Sequence, residues 1–505
     1  MIIMKKKTLV GIFSLLVFLI GCTNPNTEDN SNNNRMNQSF ENDDNQMMNS
    51  PSENGTNHMN VSNIGPLKSS KGLNELKIPE VLERQENSEV DYEISATIGT
   101  TEFFEDTQTE TYGYNGGLLG PTVRLKEGET VKVKFRNDLD EPTTVHWHGL
   151  EILGENDGGP SQLILPGEDN IITLKADQPS ATLWYHPHPH GDTGKQVFKG
   201  LGGLLYIDEQ DDTDTNYPDN YGVNDIPLIF QDRQFDENYQ LNYGQLMDID
   251  GTLGNIGLIN GTMDPKVTVT EPIMRFQLLN ASNAREYTFR LSNGNAFKQI
   301  ATDGSKLKRP VEMQEITLTP SERVEVLIDF SELNPQESIA IIDAFGNTLL
   351  PFQLAFDPQQ KGLISEFTAD EPFLSEEEKN MPITKEVELF GQMNMVTING
   401  RKFDPNRIDL RQKQGVSEVW EVYNRPDMMG GMTHPFHIHG TQFKVISRDN
   451  IEVAPNEQGL KDSVLVEPGE RVKLLVTFPK KDVFPFHCHI LEHEDNGMMG
   501  QILVK

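Results

Sequence analysis

Eleven of the chain's 12 histidines lie in four short clusters, and the span between His190 and His434 holds neither histidine nor cysteine. His146-Trp147-His148 and His186-Pro187-His188-Pro189-His190 fall in the first third. His434, His437 and His439, then His487-Cys488-His489 with His493, fall in the last third. Structural histidines scatter along a chain, whereas neutral imidazole is the commonest metal ligand, so this segregation points to a metal centre. Alternate residues of a strand share a face, so each His-x-His pair presents two imidazoles to one side. Four such pairs would supply eight imidazoles, enough for several copper ions. Cys488 must then project away from its two neighbours, so a metal on the thiolate would be joined to metals on the imidazole side by a few covalent bonds. That is a path for single electrons. Thiolate and imidazole with a long Met contact make a blue-copper site; Cys488, His493 and Met498 offer three such ligands, and His434 is the fourth.

The elements that must position these residues read as strands. From about Leu76 the chain is a series of short β-branched runs broken by Gly, Pro, Asn and Asp, such as residues 122–137, 323–330 and 471–478. Alternating apolar and polar positions at such intervals predict all-β sandwiches, with few and short helices. "LPGEDNIITLKA" (165–176), "TPSERVEVLIDF" (319–330) and "EPGERVKLLVTF" (467–478) look like one strand pair recurring three times, once in each third of the chain. Three copies of one sandwich are expected, over 76–215, 216–380 and 381–505.

The N-terminus reads as an export signal over 1–21: Lys5, Lys6 and Lys7 precede an apolar run too short to span a bilayer. It ends in Leu19-Ile20-Gly21-Cys22, similar to a bacterial lipobox, which implies lipidation of Cys22 and attachment to the outer face of the cell membrane. Residues 22–75, rich in Asn, Ser and acids, are expected to form a disordered tether. Cys22 and Cys488 are the only cysteines, so a lipidated Cys22 leaves Cys488 as a lone thiol in an oxidising compartment. The formal charge of −34 repels phosphate backbones and attracts small cations, which argues against a nucleic-acid partner.

Taken in order, "HWHG" (146–149), "WYHPHPHG" (184–191), "HPFHIHG" (434–440) and "HCHILEHEDNGMM" (487–499) resemble the four copper signatures of multicopper oxidases, and most of all those of bacterial cuprous oxidases and laccases. The resemblance covers roughly residues 90–505. It implies three cupredoxin-like Greek-key sandwiches, the middle one free of metal, and four copper ions. Carried over by position, type 1 copper takes His434, Cys488 and His493 with Met498 axial. Type 2 copper takes His146 and His437. The type 3 pair takes His148, His186, His188, His439, His487 and His489. His190 is left as a structural residue and His58 lies in the tether. The implied activity is one-electron oxidation of a substrate coupled to reduction of dioxygen to water by an enzyme working as a monomer.

Glu494 and Asp157 match acidic positions that assist proton delivery in the similar cuprous oxidases; Glu151 has a weaker claim. Before His434, "RPDMMGGMTH" places Asp427, Met428, Met429 and Met432 as a candidate substrate-copper site, since thioethers suit Cu(I) and a carboxylate can bind the Cu(II) product. Gly430 and Gly431 depart from the family's spacing there. The expected substrate is Cu(I), in copper tolerance; phenols or other small organic donors are the alternative, and copper sequestration without turnover is a third reading.

Overall fold

Alternation dictates the local structure. In the strand Thr130–Asp138 the residues Val131, Val133 and Phe135 are buried while Lys132 and Arg136 face solvent, as expected of a sheet with one packed face. The computed structural model describes residues 66–210, 217–244, 250–333, 336–357, 373–428 and 430–505. Their strands form six sheets that pair into three sandwiches.

The first sandwich packs a four-stranded sheet (Thr107–Tyr114, Tyr92–Phe104, Thr130–Asp138, Asp169–Lys175) on a second (Val123–Lys126, Gly203–Asp208, Ala181–His186, His146–His148). Between them lie Ile94, Val133, Phe135, Leu174 and Leu183. The middle sandwich has sheets of six and seven strands around Leu228, Phe276, Phe330 and Phe352. The third, of six and five strands, encloses Trp420, Phe436, Val464, Phe486 and Cys488. The architecture is that of three cupredoxin-like Greek-key sandwiches. Among the described residues the helices are short: Thr193–Lys199, Glu376–Lys379 and Leu491–Asp495.

One expectation is corrected. The tether is expected over 22–75, but the described part of that stretch belongs to the middle sandwich. Asn74 and Glu75 pair in parallel with Pro265 and Lys266, and Leu67 is buried in the middle core. Leu76 and Ile78 pack against the same core. Residues 1–65, with Cys22 and His58, lie outside the described residues, as do 211–216 at the expected first boundary.

Candidate metal centre

Two hairpin-like pairings position the clusters. In the first sandwich the strand His146–His148 runs antiparallel to Ala181–His186, with His146 opposite His186. In the third, His434–Ile438 runs antiparallel to Asp482–Cys488, with Phe436 opposite Cys488 and His437 opposite His487. The two sheets meet, and their imidazoles interleave: His146 stacks on His439, and His148 on His437, each at 3.8 Å between ring centroids. Ten histidines from the four clusters are at most 1% exposed. Burial lowers the pKa of eight of them, that of His487 to about 3, so those eight rings are neutral and their lone pairs available.

Hydrogen bonds fix which nitrogen of six of the rings is free. Nδ1 of His146 lies 2.9 Å from the Asp157 carbonyl, Nδ1 of His186 2.9 Å from the Pro187 carbonyl, and Nδ1 of His437 2.7 Å from the Asp462 carbonyl. His439 Nδ1 donates to Asp157 Oδ2 at 2.7 Å, and His487 Nδ1 to the Cys488 carbonyl at 3.1 Å. Each of these rings turns Nε2 inward. His148 is reversed: its Nε2 donates to Asp462 Oδ1 at 2.9 Å, leaving Nδ1 to face His186 Nε2 at 3.4 Å. Nε2 of His188 lies 3.2 Å from His487 Nε2, which lies 3.0 Å from His439 Nε2. Nε2 atoms of His146, His437 and His489 are buried with no partner. A buried polar atom left unpaired costs about 1–3 kcal/mol, so this inward-facing set is built for cations.

On the other face of the strand, Cys488 Sγ lies 3.5 Å from His434 Nδ1 and 3.8 Å from His493 Nδ1. Met498 is fully buried beside them, its carbonyl accepting from the Cys488 amide at 3.1 Å. Burial pushes the Cys488 thiol's pKa up, so the thiolate forms with a bound metal. Thiolate, two imidazoles and a thioether on one face and imidazoles alone on the other fit copper.

Of the expected proton-delivery residues, Asp157 also approaches His146 Nδ1, at 3.4 Å. Glu494 spans two rings, 3.2 Å from His188 Nδ1 and 3.3 Å from His487 Nδ1. Glu151 stands apart from the cluster; its Oε1 accepts from the Gln442 amide at 3.0 Å, and burial raises its pKa to about 7. His190 is exposed beside Phe403.

The expected substrate-copper set is divided between surface and core. Gly430 and Gly431, both at positive φ, turn the chain. Met432 enters the third core at 1% exposure, whereas Met428 is fully exposed; Met429 lies outside the described residues. Sequence reasoning missed the acid that does approach this site: Asp250 Oδ1 lies 3.9 Å from His493 Nε2 and accepts from the Met393 amide. It also missed Asp462, whose only sequence signal is its place just before the third repeat.

Two multicopper oxidase family signatures match residues 95–212 and 376–505. The multicopper oxidase mco of Staphylococcus epidermidis is 48% identical over 441 residues, 87% of this chain and 94% of that protein. A laccase from Pediococcus acidilactici superposes with a TM-score of 0.82 at 41% identity, over 87% of this chain and 95% of its own. A Campylobacter jejuni multicopper oxidase described as a metallo-oxidase gives 0.74 at 29% identity, over 88% and 99%. The chain belongs to the multicopper oxidases, oxidoreductases that use dioxygen and a reducing substrate.

Proposed function

We propose that this enzyme oxidises Cu(I) to Cu(II) at the outer face of the cell, in copper tolerance, four Cu(I) ions and four protons being consumed per dioxygen reduced to two waters. His434, Cys488, His493 and Met498 would hold type 1 copper, and His146 and His437 type 2. His148, His186 and His489 would hold one copper of the type 3 pair; His188, His439 and His487 would hold the other. When bound, the copper ions supply one-electron chemistry, taking electrons at the thiolate and giving them to dioxygen among the imidazoles. Cys488 is bonded through the backbone to His487 and His489, which links the two sites covalently. Glu494 and Asp157 each touch two imidazole Nδ1 atoms, which suits them to hold and pass protons at their carboxylate oxygens.

The observation that favours a cationic substrate is Asp250 at the outer edge of His493, on a backbone contact with the Met393–Met395 turn. Met395 is 65% exposed there, so a soft donor stands at the surface near a carboxylate. This site is proposed beside the set expected around Asp427. Export and lipid attachment at Cys22 complete the proposal; Cys22→Ala should move the protein into the soluble fraction with its activity intact.

The test is oxygen uptake by copper-loaded protein with Cu(I) in a weak ligand buffer and with a phenol. Cys488→Ser should abolish blue colour and turnover on both. Met393→Leu with Met395→Leu should lower kcat/KM for Cu(I) about tenfold, or 1.4 kcal/mol, and spare the phenol. Unchanged Cu(I) oxidation in that variant would favour the laccase reading, and a wild type without oxygen uptake would favour sequestration.

A further inference from the structure

The three sequence repeats fold into one turn. Glu168, Glu322 and Glu470 each donate their amide to the carbonyl three residues back, at 2.9, 3.1 and 2.9 Å. Each also accepts that same residue's amide on its carboxylate, at 3.2, 2.8 and 2.8 Å. The residue before the glutamate has positive φ in all three: Gly167 at 81°, Ser321 at 76° and Gly469 at 88°. Glycine adopts that conformation freely and serine does not. The residue after the glutamate is Asp169, Arg323 or Arg471; the side chains of Asp169 and Arg471 are 43% and 46% exposed, and that of Arg323 is 0% exposed.

The middle copy therefore carries a strained serine and a buried cation where the other copies carry glycine and a surface charge. Ser321 Oγ donates to Ser463 Oγ at 2.8 Å. Ser463 Oγ lies 3.3 Å from both His437 Nδ1 and His148 Nε2. Arg323 uses all five guanidinium donors: Nε to the Thr182 carbonyl, Nη1 to the Ser321 carbonyl and Asp462 Oδ1, Nη2 to the Asp303 carbonyl and Asp462 Oδ2, at 2.6–3.0 Å. These acceptors come from all three sandwiches. Asp462 Oδ1, held by Arg323, is the atom that reverses His148. Space here is closed as well: a Cβ on Gly149 would lie 2.5 Å from Asp462 Oδ2 and 2.9 Å from Arg323 Nη2.

We infer that Ser321 and Arg323, in the sandwich expected to hold no metal, are positioning residues for the histidine centre: they fix Ser463 and Asp462 so that His148 meets a metal ion through Nδ1 and His437 through Nε2. The inference rests on reading that centre as the three-copper site. Outer partners that orient a ligating imidazole change metal affinity or activity by about 10–100-fold when removed.

The experiment uses the full chain loaded with copper, comparing wild type, Arg323→Lys, Ser321→Gly and, as a control, Arg471→Lys. Copper per chain, the electron paramagnetic resonance signal of type 2 copper and the blue absorption are read alongside oxygen uptake. Lysine keeps the charge of Arg323 but cannot reach five acceptors. Arg323→Lys should keep the blue band, lose or shift the type 2 signal, bind less copper and turn over at least about tenfold more slowly. Ser321→Gly should keep its copper and shift the type 2 signal, with kcat lowered and KM unchanged. Arg471→Lys should match wild type throughout. A folded Arg323→Lys protein with full copper and an unchanged type 2 signal overturns the inference. If that variant does not fold, Ser321→Gly decides, and an unshifted signal there overturns it. Failure of the underlying reading would show in the wild type itself, as fewer than the family's four coppers or no type 2 signal.

Discussion

The turn Thr319–Arg323 of the middle sandwich and the turn Glu467–Arg471 of the third share a backbone conformation, a capping glutamate and an arginine at the fifth position. In the third sandwich that arginine lies across Tyr423 at the surface and pairs with Glu421 at 2.6 Å. In the middle sandwich it lies at the junction of three domains, in a buried group with Asp303, Asp462, Lys461 and Glu322. Local sequence sets the turn, and docking sets what its side chains do. A domain that holds no histidine or cysteine can thus still govern the shape of a histidine centre, through one turn that its relatives leave in solvent.

The sharpest way to break the comparison is to remove both cations. Arg323→Met leaves Asp462 buried without its main partner, so copper-free protein should lose about 3–5 kcal/mol, the cost of breaking a buried ion pair. Arg471→Met removes an exposed pair and should cost no more than about 1 kcal/mol. Denaturant midpoints of the two variants measure the difference; equal losses would mean the two positions are energetically alike.

The capping glutamates give a smaller contrast. Glu168→Gln removes only a turn contact at an exposed site, and about 0.5 kcal/mol is expected. Glu322 also accepts from Thr319 Oγ1 at 2.8 Å and faces Lys461 Nζ at 3.2 Å, both buried. Glu322→Gln should cost about 2 kcal/mol, since it leaves Lys461 with one carboxylate fewer. A loss no larger than that of Glu168→Gln, by the same midpoint measurement, would place the middle turn with its relatives.

These contrasts mark what the sequence could and could not say. The sandwiches, their repeat and the gathering of the histidines were legible because each rests on local period: two residues per strand repeat, and one turn every third of the chain. Cys488 facing away from His487 and His489 follows from the same period. Arg323 was visible only as one residue of a repeated strand pair, because its burial exists only once three domains have docked. Asp250 was missed for a similar reason, lying far from His493 in the chain and near it in space. In the set around Asp427, spacing in the chain could not tell that packing draws Met432 into the core while Met428 stays exposed.

Glu286 feels the charges of both turns and adds a dependence on pH. Burial first, then the charges of Glu467 and Glu322, push its pKa from an ordinary 4.5 up to about 7. Because the folded value is raised, the folded protein holds this proton more tightly than the unfolded chain. The associated stability is therefore complete below about pH 4.5 and is lost as pH rises through about 7. Discounted for partial exposure, the loss should be about 1–2 kcal/mol. Glu286→Gln should flatten this part of the stability profile, so melting temperatures from pH 5 to pH 8 should fall less for the variant than for wild type. Parallel profiles would show that burial does not raise the Glu286 pKa.

The smallest expected effect on stability is the most informative. Ser321 holds φ of 76°, where a side chain with Cβ is strained by about 1–2 kcal/mol and glycine is not. Ser321→Gly relieves that strain but loses the hydrogen bond to Ser463, worth about 0.5–1.5 kcal/mol, and adds freedom to the unfolded chain worth about 0.4–1 kcal/mol. The terms nearly cancel, so the variant should melt close to wild type. Ser321→Ala keeps the strain and loses the bond, so it should be less stable than Ser321→Gly by about 1 kcal/mol, the reverse of the usual order of alanine over glycine. At Gly167, where an added Cβ would meet open space, alanine brings only the backbone strain and should lower stability by a similar amount. If Ser321→Gly matches wild type in stability while its type 2 copper signal shifts, the hydroxyl is there for the metal site and not for the turn. If Ser321→Gly is instead strongly destabilised, the hydroxyl is a structural tie between sandwiches, and the middle turn differs from its relatives in packing alone.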